Sequence, residues 1–479
     1  MPKPQNITTF AIQKLNQLKM PLIKSISGIR GTIGGAANDG LNPINLTLFT
    51  SAYAQWVKNN FPQQKCKVVV GRDARISGEM VNSIVVGALL GCGVDVVNVG
   101  LATTPTVEMA VVDEQAQGGI IITASHNPRQ WNALKLLNEK GEFLSDDDGK
   151  VVLQIAEQGM VSFSDVDGLG SLVDEYDFVD KHIEKILALK LVDTNAIKQA
   201  NFKVAIDCVN SVGGIAIPRL LKALGVSNVV ELYCEPTGEF PHNPEPLPEH
   251  LTEISSAVVS EKAHLGFVVD PDVDRLAIIC EDGTMFGEEY TLVAVADYVL
   301  TETKGNTVSN LSSTAALRDV THKHGQQYYA SAVGEVNVVA AMKKHNAVIG
   351  GEGNGGVIFP ELHYGRDALV GIALFLSHLA RSNKTCSELK AQYPQYFMSK
   401  NKVELSHEVN PDEVLHRMKK HFSNQILNDI DGLKVEFDDG WIHLRKSNTE
   451  PIIRIYTEAK SPEKANELAE QAMKLIKNQ

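Results

Sequence analysis

Three aspartates at alternate positions carry the strongest chemical signal in this sequence. Asp270, Asp272 and Asp274 follow the apolar end of GFVVDPDVDR, and Arg275 comes directly after them. Because alternate side chains of extended backbone point to one side, these carboxylates would repel one another without a cation among them. Oxygen ligands suit Mg²⁺ or Ca²⁺, and Mg²⁺ commonly shares its shell with phosphate oxygens or water. The pattern predicts a divalent-cation site with Arg275 facing a phosphate; a solvated acidic loop is the alternative.

A serine and a histidine stand at the end of a second apolar run. In GGIIITASHNPRQWNALK, Ser125 and His126 follow three isoleucines, and Lys135 comes a short turn or helix later. No GxSxG motif or evident triad partner accompanies the serine, which argues against acyl transfer. A serine that faces a metal loop and arginine clusters points to phosphoryl transfer, with Lys135 neutralising phosphate or moving a proton. His126 would hydrogen-bond Ser125 or a phosphate, although an ordinary turn histidine is an equal interpretation.

Cations gather in a third stretch, near the C-terminus. The residues of LRKSNTEPIIR that can bind an anion are Arg445, Lys446, Ser447, Asn448, Thr449 and Arg454. Hydroxyls, an amide, backbone N–H groups and arginine forks are the usual means of holding a dianionic phosphate. This positive charge stands out against an acidic chain, so we predict a phosphate-binding turn rather than an ordinary connection between strands.

Two further stretches give weaker signals. GGEGNGG lets backbone approach a ligand closely, and Glu352 and Asn354 alternate within it as partners for sugar hydroxyls. A flexible turn explains that stretch equally well. ISGIRG and GRDARISG add Arg30, Arg72 and Arg75 near the ends of predicted strands. Arg72 and the aspartate after it are interpreted first as a structural ion pair.

The composition bounds the class of protein. The 479 residues are 43% hydrophobic and carry a formal net charge of −13, which disfavours a nucleic-acid partner. A small anionic substrate remains compatible with that charge, because a local cationic cluster can bind it. The six cysteines form no CxxC pair and are interpreted as reduced thiols of a cytoplasmic protein. No apolar run approaches the ~18 residues of a membrane span, and the N-terminal sequence lacks a secretory pattern.

Strand-like and helix-like segments alternate in three successive regions, and then the rhythm changes. KVVVGRD, NFKVAIDCVN and NTVSNLSST each predict a buried strand in a mostly parallel sheet with helices on both faces. From about residue 389, short strands and two amphipathic helices predict a different domain. The fold class is therefore α/β, with three similar mixed α/β domains and a fourth, smaller α+β domain around a central cleft. The predicted domains are residues 1–166, 167–283, 284–388 and 389–479.

Six motifs together resemble the α-D-phosphohexomutase family. TASHNP is similar to its phosphoserine loop, DPDVDR to its metal loop, GGEGNGG to its sugar-specificity loop and RKSNTEP to its phosphate-binding loop. SGIRG and GRDARISG also match, and all six motifs follow the family's order between residues 26 and 459. The resemblance implies a four-domain, heart-shaped enzyme in which the predicted domains carry the four loops in turn.

The resemblance also implies a role for each loop. Ser125 would carry a phosphate, with Lys135, Arg30 and His126 assisting proton transfer or balancing charge. The implied Mg²⁺ ligands are Ser125, through its phosphate, and Asp270, Asp272 and Asp274, with Arg275 as charge support. The implied substrate ligands are Glu352 and Asn354 for sugar hydroxyls and Arg445, Ser447, Asn448, Thr449 and Arg454 for the substrate phosphate.

The implied reaction interconverts a hexose 6-phosphate and a hexose 1-phosphate through a hexose 1,6-bisphosphate that turns around in the cleft. The expected substrate is glucosamine 6-phosphate, and a phosphomannomutase/phosphoglucomutase is the alternative. A Mg²⁺-dependent sugar phosphatase with an aspartate nucleophile and a non-catalytic sugar-phosphate binder are more remote. The only expected partner is a small-molecule sugar phosphate, with no nucleic acid and no membrane, and the protein is expected to be a monomer or homodimer.

One position departs from the family pattern. Many relatives have a serine where this chain has Asn354 and a histidine where it has Gly356, so a proposed acid/base histidine is missing. His363 is a weak substitute. Lys135 is the better candidate for general acid/base duty.

Overall fold

The computed structural model of the protein describes residues 21–25, 28–37, 39–406, 409–447 and 451–477. The chain divides into two compact units. Unit 1 comprises Met1–Ala188, Ala205–Ile254 and Val268–Asp274, and unit 2 comprises Leu189–Val204, Ser255–Phe267 and Arg275–Gln479.

A seven-stranded mixed sheet with the order β1-β2-β6-β5-β3-β4-β7 lies in the N-terminal part of the chain. Its strands are β1 Leu22–Ser25, β2 Gly28–Thr32, β3 Lys67–Arg72, β4 Asp95–Leu101, β5 Gly118–Ile122, β6 Trp131–Leu137 and β7 Leu172–Asp174. The helices are α1 Pro43–Asn60, α2 Gly78–Gly91, α3 Thr104–Asp113, α4 Asp146–Gln158 and α5 Phe178–Ala188.

The predicted helices on both faces are present in this sheet. Ile120 packs into a core with α1, α2 and α4, whereas its neighbour Ile121 packs into a second core with α3. This is the alternation expected of a strand buried on both sides. The strands β3, β4, β5 and β7 form the predicted parallel core.

The strand after the TASHNP loop was not predicted. β6 returns antiparallel to β5 and places Lys135 opposite Ile121. Lys135 therefore lies on a strand that a short turn separates from Ser125, as an antiparallel neighbour permits.

Two smaller sheets, each of four strands, follow along the chain. One has the order β11-β10-β8-β9 and the other β13-β12-β14-β15. Their strands are β8 Lys203–Asp207, β9 Asn228–Leu232, β10 Leu265–Val269, β11 Leu276–Cys280, β12 Asn306–Asn310, β13 Tyr328–Ser331, β14 Ala347–Glu352 and β15 Gly356–Ile358. The helices of this region are α6 Thr194–Ala200, α7 Gly213–Ala223, α8 Thr252–Ser260, α9 Glu288–Glu302, α10 Ala316–Lys323, α11 Glu335–His345, α12 Ala368–Ser382 and α13 Cys386–Lys390.

The C-terminal part is a five-stranded antiparallel sheet with the order β16-β20-β19-β18-β17. Its elements are β16 Phe397–Glu404, α14 Pro411–His421, β17 Ile426–Asn428, β18 Leu433–Phe437, β19 Gly440–Lys446, β20 Ile452–Ala459 and α15 Pro462–Lys477. Both helices pack on this sheet through Met418 and Leu468, among others. Three similar α/β domains and a smaller α+β domain are thus confirmed, while the four domain boundaries stay predictions.

Across the described part of the chain, no helix has both the length and the apolar character needed to cross a bilayer.

Candidate active site

Ser125 lies in unit 1, at the tip of the loop that follows β5. Its hydroxyl donates a hydrogen bond of 2.6 Å to Asp270 Oδ2, and its Oγ lies 3.3 Å from His126 Nδ1. The residue has φ +48°, a left-handed conformation that non-glycine residues adopt at a cost. The structure therefore joins the predicted serine to the predicted metal loop, and it holds that serine in a strained conformation.

Arg75 fixes the loop in this conformation. Its Nη2 donates to the carbonyl oxygens of Ser125 and Asn127 at 2.5 and 2.6 Å. Its Nη1 donates to the carbonyl oxygens of Pro128 and Trp131, both at 3.0 Å. The guanidinium is buried, so these bonds meet little competition from water.

Asp73 holds Arg75 from the other side. Arg75 Nε donates to Asp73 Oδ2 at 3.1 Å, and the Thr123 hydroxyl donates to the same oxygen at 2.6 Å. Burial raises the pKa of the Asp73 carboxyl, although Arg75 and Thr123 oppose that shift. GRDARISG thus supports the serine loop through Asp73 and Arg75. The ion pair of Asp73 is with Arg75 and not with Arg72 as expected, since Arg72 Nη1 donates to the Asp73 carbonyl oxygen.

Replacing Arg75 by methionine should lower the free energy of unfolding by about 3–5 kcal/mol, because it leaves the buried Asp73 carboxylate unpaired. Arg129→Met is the matched control, since Arg129 pairs with Glu239 at 3.1 Å and both side chains are 60% exposed. Loss of that pair should cost at most ~1 kcal/mol. Urea denaturation followed by circular dichroism measures both values, and equal small losses would contradict the assignment.

The three aspartates lie together and fully buried in unit 1. One carboxylate oxygen of each of Asp270, Asp272 and Asp274 lies within 4.8 Å of those of the other two. They converge through a turn in which Val273 has φ +63°, and the Asp274 N–H donates to Asp270 Oδ1. The predicted convergence is right, but the extended-strand reason for it is wrong.

Lys135 and Thr104 complete this cluster. Lys135 Nζ donates to Asp272 Oδ2 at 2.6 Å and lies 3.4 Å from Asp274 Oδ2. The Thr104 hydroxyl donates to Asp272 Oδ2 at 2.6 Å. Burial alone would raise the pKa of Asp272, but Lys135 and Thr104 bring it well below its ordinary value. Asp272 is therefore ionised at neutral pH.

The cluster has the chemistry of a divalent-cation site. Asp272 Oδ1 is buried and receives no hydrogen bond from any described residue. A buried carboxylate oxygen without a donor is costly unless a cation binds it. Three carboxylates opposite one ammonium leave a formal charge of −2, which a divalent ion would neutralise. The donors are all oxygens, as Mg²⁺ prefers.

Arg30 and Arg275 have different surroundings. Arg30 Nη1 donates to Asn127 Oδ1 at 2.8 Å, so it lies beside the serine loop. Arg275 belongs to unit 2, where its charge helps to lower the pKa of Glu352.

Glu352 is a buried carboxylate at the end of β14, in unit 2. Its Oε1 accepts hydrogen bonds from Asn310 Nδ2 and the Gly334 N–H, and its Oε2 accepts one of 2.9 Å from Arg366 Nη1. Burial would raise its pKa, but Arg366 is the first of several groups that lower it below the usual range. Glu352 is therefore a fixed anion. Arg366, which also donates to Glu335, was missed at the sequence level.

The geometry of the same loop explains why glycine is needed in it. Gly355 has φ +86°, and a Cβ there would lie 2.3 Å from the Leu276 carbonyl oxygen. Asn354 Oδ1 accepts the Gly356 N–H at 3.2 Å. His363 Nε2 lies 3.3 Å from Asp367 Oδ2, so the weak substitute histidine interacts with the N-cap of α12.

The cationic stretch of β19 and β20 brings two arginines face to face. Arg445 lies directly opposite Arg454 in the antiparallel register. Like charges at such a pair of positions destabilise a sheet unless anions offset them, and Asp431 Oδ2 lies 2.9 Å from Arg445 Nε. The Ser447 N–H donates to the Ile452 carbonyl oxygen. The predicted ligands Asn448 and Thr449 lie outside the described residues.

Comparison with known proteins gives four family matches in order along the chain. The profiles are those of phosphoglucomutase/phosphomannomutase alpha/beta/alpha domain I at residues 23–161, domain II at 180–283, domain III at 287–396 and the C-terminal domain at 402–475.

Relatives of known name extend over nearly the whole chain. A phosphoglucomutase/phosphomannomutase from Thermococcus kodakarensis is 36% identical over 452 residues, covering 93% of this chain and 98% of the relative. A probable phosphoglucosamine mutase from Methanopyrus kandleri is 31% identical over 456 residues, covering 94% and 97%. The crystal structure of a phosphoglucomutase/phosphomannomutase family protein from Burkholderia thailandensis has a TM-score of 0.81 at 27% identity, covering 95% and 97% of the two chains.

The fold and these relatives define a phosphosugar mutase, an enzyme of the isomerase class. The chain belongs to the phosphoglucomutase/phosphomannomutase family, the α-D-phosphohexomutases.

Proposed function

We propose that this mutase interconverts glucosamine 6-phosphate and glucosamine 1-phosphate through a phosphorylated Ser125. The observation that carries the proposal is the contact of 2.6 Å between the Ser125 hydroxyl and Asp270, beside Asp272, Asp274 and Lys135. A hydroxyl next to a cation site is suited to accept and release a phosphoryl group.

Ser125 acts as the carrier in both halves of the reaction. The phosphoryl group first leaves Ser125 Oγ for a sugar hydroxyl, which loses its proton as the serine oxygen gains one. The other phosphoryl group of the resulting 1,6-bisphosphate then leaves its sugar oxygen for Ser125 Oγ, and the sugar oxygen gains a proton as the serine hydroxyl loses one. Lys135 and His126 hold or move the protons, and Arg30 contributes positive charge beside the loop.

Asp270, Asp272 and Asp274 are proposed as Mg²⁺ ligands. The bound ion would offset negative charge on the transferring phosphoryl group. Lys135 shares this task from within the protein, because its ammonium already contacts two of the three carboxylates.

The substrate's second phosphate is proposed to bind the turn after β19. The facing pair of Arg445 and Arg454 supports this assignment, because two guanidinium groups with one carboxylate, that of Asp431, leave a net positive charge that suits an anion. The further ligands proposed are Ser447, Asn448 and Thr449. With the phosphate bound at this turn, the sugar hydroxyls are proposed to contact Glu352 and Asn354.

The choice of glucosamine rests on the sugar loop and on relatives named phosphoglucosamine mutase. Glu352 is an ionised, hydrogen-bonded carboxylate, and an anion favours the ammonium form of a 2-amino sugar. A neutral hydroxyl in glucose or mannose gains less from the same carboxylate. Because another relative is named phosphoglucomutase/phosphomannomutase, that activity is the second candidate.

The substrate panel decides between them. We expect kcat/KM for glucosamine 6-phosphate to exceed those for mannose, glucose and N-acetylglucosamine 6-phosphates by about tenfold or more. Each reaction is followed by phosphorus NMR after priming with a hexose 1,6-bisphosphate. A higher kcat/KM for mannose or glucose 6-phosphate would move the assignment to phosphomannomutase/phosphoglucomutase, and net phosphate release would indicate a phosphatase.

A further inference from the structure

Asp431, the residue two before β18, contacts two segments that are distant in sequence. Its Oδ2 accepts a hydrogen bond of 2.9 Å from the Val333 N–H. The same oxygen lies 2.9 Å from Arg445 Nε, and the Arg445 and Asp431 side chains are only 26% and 22% exposed. Partial burial strengthens this ion pair relative to a surface pair. Asp431 therefore connects β19, through Arg445, to the segment that precedes α11, through Val333.

The peptide after Val333 continues this connection to the sugar loop. The Gly334 N–H donates to Glu352 Oε1 at 3.1 Å. Gly334 has φ +112°, which L side chains rarely adopt. Consecutive backbone N–H groups thus bind the carboxylates of Asp431 and Glu352, and a displacement of one carboxylate moves the donor of the other.

A second connection runs through His443. His443 Nε2 lies 2.8 Å from the Asp431 carbonyl oxygen, and Nδ1 lies 2.9 Å from Ser312 Oγ. Burial lowers the pKa of His443 to about 4, so the ring is neutral at pH 7. Because a carbonyl can only accept, Nε2 carries the proton and Nδ1 accepts from the Ser312 hydroxyl. The Ser312 N–H donates to Asn310 Oδ1, and Asn310 Nδ2 donates to Glu352.

We propose that Asp431 is a positioning residue that couples the phosphate contact at Arg445 to the sugar contact at Glu352. The inference rests on the proposed function, which assigns those two contacts. Two routes end on the same oxygen of Glu352, one from the Asp431 carboxylate and one from its backbone carbonyl, so partly buried hydrogen bonds hold the spacing between Arg445 and Glu352. A sugar phosphate that contacts both residues needs that spacing held constant.

A double-mutant cycle with Asp431→Ala and Glu352→Gln tests the coupling in the full-length enzyme. Asp431→Ala should raise KM for the hexose 6-phosphate about tenfold, with a smaller change in kcat. The loss caused by Glu352→Gln should shrink about tenfold in the Asp431→Ala background, because the Val333 N–H then loses its acceptor and the Gly334 N–H no longer holds Glu352 in place. Asp431→Asn keeps an oxygen acceptor for Val333 and should restore part of the affinity.

Asp429→Asn is the matched control. Asp429 is two residues away, pairs with Lys419 and is 57% exposed, so its loss should leave KM unchanged. Additive effects in the cycle, or an equal KM rise in Asp429→Asn, would overturn the coupling. A wild-type protein that isomerises no hexose phosphate would instead refute the proposed function. Melting temperatures of all variants separate a change in position from a loss of fold.

Discussion

Replacing Ser125 by alanine is expected to lower kcat/KM by about 10⁴-fold or more while the protein remains folded. The hydroxyl at this position is the proposed carrier of the phosphoryl group, and alanine offers no oxygen in its place. The fold should tolerate the change, because alanine fits the volume and the loop is held through backbone carbonyls by Arg75. Mutase activity and the melting temperature are measured on the same preparation.

Ser83→Ala provides the control for this substitution. Ser83 is an exposed serine of α2 whose hydroxyl donates to the Glu79 carbonyl oxygen of the same helix, so turnover should stay at the wild-type level. The phosphorylation of the protein should disappear in Ser125→Ala and persist in Ser83→Ala, as intact-mass measurement would show. Wild-type turnover in Ser125→Ala would remove Ser125 from the chemistry. Phosphate release that survives the substitution would favour an aspartate nucleophile.

The fold was largely predictable because its elements have local signals. The apolar runs of KVVVGRD and of the segment that ends in TASHNP became β3 and β5. β6 was missed although it is buried, because the strand WNALKLL contains Lys135 and follows a polar loop. Such a segment becomes a strand because it pairs with β5, and the residues of the segment alone do not indicate that pairing.

Site residues that are near one another in sequence were predicted, whereas those whose partners are distant in sequence were not. The Asp270 loop was predicted from spacing alone, since its members are near one another in sequence. Arg75 binds carbonyl groups about 50 residues away, and Asp431 binds Val333 from 98 residues away. Such partners appear only when the chain is folded. A buried arginine has to find acceptors, but its sequence context does not say which ones.

A substitution of Lys135 can separate its role in charge balance from the binding of Mg²⁺ by the three aspartates. Its ammonium opposes three buried carboxylates, so Lys135→Met should destabilise the metal-free protein by about 3–5 kcal/mol. Turnover should fall by about 10²- to 10⁴-fold, because the variant loses a proton carrier beside the reacting groups. Urea denaturation in EDTA and steady-state kinetics with Mg²⁺ measure the two effects.

Added Mg²⁺ distinguishes this assignment from a simple structural defect. A cation that binds only the folded state stabilises it, and the gain grows with affinity. Removing the competing ammonium should therefore make the rise in melting temperature with Mg²⁺ larger in Lys135→Met than in the wild type. Lys67→Met, which breaks a partly exposed pair with Glu114, should show the wild-type response. If the response to Mg²⁺ were the same in all three proteins, the aspartate trio would not be the cation site, because the charge that Lys135 supplies would then have no bearing on where the ion binds.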